Sequence, residues 1–264
     1  MWIDLTGKII VVTGGSMGIG ESVVNNLLDN EAQIIIADRV ENEKLLTRDN
    51  VSYIPCDITK KVEVESFVEK VIGNYKKIDG LVNNAGANRP NLLVDYYNGD
   101  SEHEMSEEEL DLMYQVNQKG LFLMTQAVAR EMIKQKEGVI INISSEAGME
   151  GSKGQGGYSA TKGAVNSFTL SWAKELGKFN IRVIGIAPGI NEPTPMGNPT
   201  HVEKLAYTRG IKANEVKEDY TNIIPIGRVG KLQEIADLIS YLNSEHSSYI
   251  TGTIINITGG KSRG

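Results

Sequence analysis

The sequence predicts a doubly wound α/β fold in which one domain surrounds a seven-stranded parallel sheet. Two observations carry this expectation. Short, β-branched apolar runs alternate with longer amphipathic stretches from end to end of the chain. The runs are apolar at successive positions, so both faces of each strand are buried, as in a parallel sheet covered by helices on each side. The length, 264 residues, still suits a single core, since domains usually divide only beyond ~250–300 residues.

The strands are expected at 9–13, 33–37, 51–54, 80–82, 138–143, 182–186 and 253–256. Helical patterns fill the intervals, with starts near Glu21, Ser106 and Gly157. Two stretches fit the alternation poorly. Residues 88–109 are polar and acid-rich, and residues 190–224 hold Pro193, Pro195 and Pro199. Both follow strands at their carboxyl ends, the edge where open α/β sheets bind ligands. They read as rim segments, with 190–224 a substrate lid; the acidic run 102–109 reads more simply as a solvated surface insertion.

Composition narrows the function classes. A formal charge of −7 leaves no basic excess for a phosphate backbone, so nucleic-acid binding is not expected. No apolar run approaches the ~20 residues of a membrane span, and no basic segment precedes an apolar one at the N-terminus. A cytoplasmic protein is the expectation. The one cysteine, Cys56, cannot form an intrachain disulfide and reads as a small buried side chain rather than a catalytic thiol. His103, His201 and His246 lack metal-ligand spacing, so no metal site is expected.

The chemistry begins after the first strand, at Thr13-Gly14-Gly15-Ser16-Met17-Gly18-Ile19-Gly20. Glycines let the backbone turn tightly and approach a diphosphate, while the following helix N-terminus offers unpaired N–H groups to that anion. Asp38 ends the second strand about twenty residues beyond the turn, where a carboxylate accepts the ribose hydroxyls of NAD and repels the extra phosphate of NADP. Arg39 follows it and could soften that repulsion. Tyr158 and Lys162 lie four apart and so share one helix face; an ammonium there would favour the phenolate and bring it towards a working base. Ser144 and Ser145 close the fifth strand, and Asn117 lies in a helical stretch. Each of these alone has an ordinary structural explanation.

Together they resemble the short-chain dehydrogenase/reductase family, from about Gly7 to Gly260. The resemblance rests on Thr13–Gly20, Asp57-Ile58 after the third strand, Asn83-Asn84-Ala85-Gly86 after the fourth, Asn117, Ser145 ahead of Tyr158, Lys162, and Pro188-Gly189 after the sixth. It implies a Rossmann-type dinucleotide fold with NAD. Gly14, Ser16, Met17, Gly18, Ile19 and Gly20 would hold the diphosphate, Asp38 the ribose, and Asp57 and Ile58 the adenine. Asn84, Ala85 and Gly86 would line the cofactor cleft, with Pro188 and Gly189 at the nicotinamide. It implies Tyr158 as base, Ser145 rather than Ser144 as its partner on the substrate oxygen, and Lys162 as binding the nicotinamide ribose and lowering the tyrosine pKa. Asn117 would hold a relay water. Where the family usually has a threonine, four residues after Gly189, this chain has Pro193, followed by Thr194.

Less common stretches, among them 117–120, 126–130, 171–178, 206–209 and 259–264, resemble members that oxidise a sugar phosphate. That resemblance implies a phosphorylated polyol as substrate, and Arg209 is the favoured phosphate cation among Arg89, Lys153, Arg209, Lys261 and Arg263. A homotetramer is the expected assembly. The rivals are another polyol, sugar-acid or oxoacyl reductase of the same family, and a regulator that senses NAD(H) without turnover; the latter has no need of Ser145, Tyr158 and Lys162.

Overall fold

The computed structural model describes residues 2–99, 102–216 and 222–262. Seven parallel strands form one sheet in the order β3-β2-β1-β4-β5-β6-β7. They are β1 (Ile9–Thr13), β2 (Gln33–Asp38), β3 (Val51–Pro55), β4 (Gly80–Asn83), β5 (Gly138–Ile143), β6 (Ile181–Pro188) and β7 (Thr253–Ile257). Every expected strand is present, and the expected fold class is the observed one.

The apolar runs explain the layers. Side chains alternate across a strand, so Ile9 and Val11 enter one core while Ile10 and Val12 enter the other. On the first face α2 (Lys61–Tyr75) and α4 (Leu121–Gln135) contribute Phe67, Val68, Val71, Met124 and Val128. On the second, α1 (Gly18–Asp29) and a helix at Leu232–Asn243 contribute Val23, Val24, Leu27, Ile235 and Ile239. The two second-face helices are also tied through a buried Asn26, which donates to Asp237 at 2.8 Å and accepts from Ser240.

The strand order reverses between β1 and β4, which pair Thr13 with Asn83. The chain therefore leaves these neighbouring strands towards opposite faces and opens a crevice at their carboxyl ends. Buried amides brace the adjoining edge. Asn83 donates to Thr125 at 2.9 Å and to Asn142 at 2.8 Å, and Asn142 donates to Thr169 at 2.9 Å. This ladder ties β4 and β5 to α4 and to α6 (Gly156–Leu176).

The two irregular stretches pack on each other above that edge. The acidic run is not merely a solvated insertion: Glu107, Glu108 and Glu109 form the first turn of α3 (Glu107–Met113), capped by Ser106 accepting from the Glu109 amide, and carboxylates are favourable at that end of a helix. Glu109 also receives Lys204 of α7 (Pro199–Arg209) at 3.1 Å. Cys56 is buried, and its thiol is pushed up to about 12 by burial, then by Glu63 and Asp57, as expected of an inert cysteine.

Candidate active site

The glycine turn is built around backbone contacts. Gly14 has φ +63°, and a methyl group on it would come within 2.8 Å of the Ala85 Cα, so only glycine fits there. Thr13 Oγ1 accepts from the amides of Asn84 at 3.0 Å and Ala85 at 3.1 Å, while Asn84 Nδ2 donates back to Gly14 O at 2.8 Å. These bonds join the ends of β1 and β4. Helix α1 begins at Gly18, earlier than expected, and its N-cap Met17 makes no side-chain capping bond. The first-turn amides of Gly18, Ile19 and Gly20 thus lack the capping partner that would compete with a diphosphate. Thr194 packs over Gly18, its Cβ 3.2 Å from where a Gly18 methyl would stand.

Asp38 is tied into the same turn. One oxygen accepts from the Ser16 amide at 3.0 Å, and the other from the amides of Arg39 at 2.7 Å and Val40 at 3.2 Å. A carboxylate has further lone-pair capacity for ribose hydroxyls. Asp57 accepts from the Thr59 hydroxyl at 2.7 Å and amide at 3.0 Å. Desolvation pushes its carboxyl up, but these bonds, with Arg39 and Lys60, leave it below its ordinary range. Ile58 is buried and packs against Gly120. The cradle as a whole fits a dinucleotide: a bare backbone turn, uncapped helical amides, and a carboxylate at the end of β2.

On the other side of the crevice, α6 carries Tyr158 and Lys162. Ser145 follows β5, its hydroxyl accepting from the Ala147 amide at 3.2 Å and standing close enough to Tyr158 to favour the ionised phenol. Ser144 donates to Lys162 O at 3.2 Å and to Asn166. Asn117 is buried in a π-helical segment (Tyr114–Gly120) between α3 and α4, a widened turn common at functional sites. It accepts from the Ala87 amide at 2.7 Å and donates to Ala87 O and to Thr161 Oγ1, each at 2.9 Å. Thr161 in turn donates to Tyr158 O at 2.8 Å, so Asn117 is braced against the helix turn that carries the tyrosine. Pro188 O accepts from the Glu146 amide at 3.0 Å, which binds the serine loop to the end of β6. Thus the expected catalytic and cofactor residues converge on one cleft.

One electrostatic expectation is corrected. The phenol of Tyr158 is pushed up, first by desolvation and further by the Glu146 charge, against the lowering effect of Ser145. Lys162 does not counter this in the protein alone. Its ammonium lies 5.7 Å from the tyrosine ring centre and donates to Ile143 O at 2.6 Å, and burial lowers its own pKa to about 8. Lys162 is buried and Tyr158 half-buried, and desolvation favours the neutral form of each.

Sequence reasoning missed the charge cluster beside the serine. Glu146 is 8% exposed and pairs with Lys261 at 2.9 Å, and Lys261 also pairs with Glu150 at 2.9 Å. Among the candidate phosphate cations, Lys261 is therefore already neutralised. Arg89 is exposed, and Lys153 is exposed with its ammonium 3.2 Å from the Tyr97 hydroxyl. Arg209 ends α7, is half-buried, and its charge reaches Glu146. Arg263 lies outside the described residues. No group of three or more potential metal ligands occurs among the described residues, and no described helix is long and apolar enough to cross a membrane.

A switch-point crevice with this turn and this serine, tyrosine and lysine defines a class. The chain belongs to the short chain dehydrogenase family, whose model matches residues 8–204, and is an oxidoreductase of that family. More particularly, it is similar to the sorbitol-6-phosphate 2-dehydrogenase of Klebsiella pneumoniae, at 49% identity over 264 residues covering 100% of this chain and 99% of the relative. It is also similar to the 3-oxoacyl-[acyl-carrier-protein] reductase FabG of Thermotoga maritima, at 39% identity over 97% of this chain and 98% of the relative. A solved 3-ketoacyl-(acyl-carrier-protein) reductase from Brucella melitensis, complexed with NADH, superposes with a TM-score of 0.83 at 28% identity, covering 98% of this chain and 100% of that one.

Proposed function

We propose that this protein interconverts D-glucitol 6-phosphate and D-fructose 6-phosphate with NAD, using Tyr158 as general acid and base. The observation that carries the substrate is the 49% identity, along the whole of both chains, with the Klebsiella sorbitol-6-phosphate 2-dehydrogenase. In the oxidative direction, Ser145 and Tyr158 would hold the hydroxyl on C2, and the tyrosine oxygen would take its proton as hydride leaves that carbon. The nicotinamide ring supplies the hydride acceptor. Lys162 would bind the nicotinamide ribose and carry positive charge beside the phenol, while Asn117 would hold the water through which the proton leaves.

Gly14, Ser16, Met17, Gly18, Ile19 and Gly20 would cradle the diphosphate, with Asp57, Ile58, Asn84, Ala85, Gly86, Pro188 and Gly189 along the rest of the cofactor. A nicotinamide cofactor accords with the family and with the NADH complex of the Brucella relative; NAD rather than NADP rests on Asp38, whose charge disfavours a phosphate on the ribose. The segment 190–224 would cover the substrate as a lid, and Arg209, half-buried at the end of α7, would bind the substrate phosphate through paired N–H donors.

The Thermotoga relative supports a second reading, reduction of a 3-oxoacyl thioester. The two separate in one assay of NADH absorbance, measuring kcat/KM for D-glucitol 6-phosphate, D-glucitol and a 3-oxoacyl thioester. The proposal expects the phosphorylated polyol to exceed the free one by at least about thirtyfold, the lower end expected for a partly buried charge pair. More efficient turnover of the thioester would overturn it.

A further inference from the structure

Glu146 is a costly residue to bury beside a catalytic serine. Its side chain is 11% exposed, and its two oxygens are treated differently. Oε1 accepts from Lys261 at 2.9 Å. Oε2 is buried with no hydrogen-bond donor among the described residues, and it lies 3.0 Å from where a methyl group on Gly189 would stand. The bare face of Gly189 is thus what leaves room for the carboxylate. The backbone fixes it as well, since the Glu146 amide donates to Pro188 O at 3.0 Å. Its counter-ion comes from far along the chain: Lys261 follows β7, 115 positions away, and spans Glu146 and Glu150.

We infer that Glu146 and Lys261 form a positioning pair whose net charge sets the pH range over which Tyr158 acts as base. The inference rests on the reading of Tyr158 as the acid–base residue, and goes beyond it by naming what tunes that residue. Neither member of the pair touches the reacting atoms; each acts on the phenol through the field in a desolvated cleft, where charges are weakly screened.

The groups facing the pair come from several elements. Glu150 ends the short helix α5 (Ala147–Glu150), whose N-cap is Glu146, Lys261 lies on the C-terminal segment, Arg209 on α7, and Tyr158 and Lys162 on α6. Glu146 raises the Tyr158 pKa, whereas the Lys162 shift has burial as its cause and no contribution from Glu146. A change in the pair is therefore read at the tyrosine rather than at the lysine. Lys261, sharing its charge between Glu146 and Glu150, holds the Glu146 field partly neutralised. This assigns Lys261 a role other than the substrate-phosphate contact considered for it from sequence.

Opposite charge deletions test the pair. The measurement is the pH dependence of kcat/KM for oxidation of the alcohol that the parent uses best, in Glu146→Gln, Lys261→Met and the double variant. Glu146→Gln removes a negative charge near the phenol and should move the rising limb to lower pH, by about half a unit to one unit. Lys261→Met should move it to higher pH. The double variant should return near the parent, and Lys261→Arg, which keeps the charge, should leave the limb in place. A pair that only supports the fold would lower activity at every pH without moving the limb, and that result overturns the inference. If Glu146→Gln does not fold, Lys261→Met against Lys261→Arg carries the same test, since only the first changes the charge. A Tyr158→Phe variant assayed alongside separates the two ideas: retained turnover there overturns the base assignment and the inference together, whereas a silenced Tyr158→Phe with unmoved limbs in the pair variants overturns the inference alone.

Discussion

The two walls of the cleft are built from different materials. The wall proposed for the cofactor, at the ends of β1 and β4, is mostly backbone: Gly14 against Ala85, amides on Thr13 and on Asp38, and the uncapped start of α1. The wall proposed for the substrate, where residues 88–109 meet α7, is mostly side chain. Tyr207 donates to a buried Asp95 at 2.7 Å, stacks on His103 with ring centres 3.6 Å apart, and accepts from Asn98 at 3.0 Å. A backbone wall admits few sequences and binds a constant ligand. A side-chain wall can be rewritten without disturbing the sheet, which suits the part that distinguishes a sugar phosphate from an acyl chain.

The contrast is sharpest where backbone is challenged directly. Gly14→Val requires a β-branched residue at φ +63° and drives it into Ala85, at a cost of about 2–3 kcal/mol. NADH affinity, followed by fluorescence, should fall about 30- to 160-fold. Unchanged affinity would show that the turn is not where the cofactor sits.

Asp38→Ala removes charge-assisted acceptors of the ribose hydroxyls and a repulsion against the ribose phosphate. It should lower kcat/KM with NAD by about 10- to 100-fold and raise it with NADP. Asp38→Asn, which can still accept from Ser16, separates loss of the turn from loss of charge. Equal use of both cofactors by the parent would instead give Arg39 the larger influence.

The raised Tyr158 pKa has a sign that can be checked. At neutral pH the phenol is protonated, the form that donates a proton in reduction; the phenolate needed for oxidation grows about tenfold per pH unit below the pKa. Below that pKa oxidation should therefore speed up with rising pH while reduction stays level, slowing only as the pH passes the pKa, in initial-rate profiles of both directions. Parallel profiles would exclude Tyr158 as the shared acid and base.

Tyr207→Phe tests the softer wall and should do least. It removes the hydrogen bonds that the Tyr207 hydroxyl makes to Asp95 and Asn98 across the two rim segments, so KM for the sugar phosphate should rise roughly threefold with kcat and NADH affinity unchanged. A larger fall in kcat would mean that the rim also orders the chemistry.

The same contrast explains what could be read from sequence. The strands were legible because runs such as Ile34-Ile35-Ile36 are buried on both faces, and only a covered parallel strand accommodates that pattern. The glycine turn and the Tyr158 and Lys162 spacing were legible because each constraint lies within a few residues. The π-helical segment around Asn117 was not, since nothing local in Tyr114–Gly120 announces bonds to Ala87 and Thr161. Glu146 with Lys261 and Asp95 with Tyr207 are 115 and 112 positions apart, and only the folded chain brings them together. The direction of the Tyr158 shift was missed for a related reason: helical spacing brings the lysine near, but burial and the Glu146 charge decide the sign.

The role of Tyr158 in moving the substrate proton is decided by a single variant. Turnover and NADH binding should be measured together in folded Tyr158→Phe. With Tyr158 as the acid–base group, NADH affinity and unfolding temperature should stay near parental while kcat falls about 10²- to 10⁴-fold. Parental turnover in that variant would contradict that role.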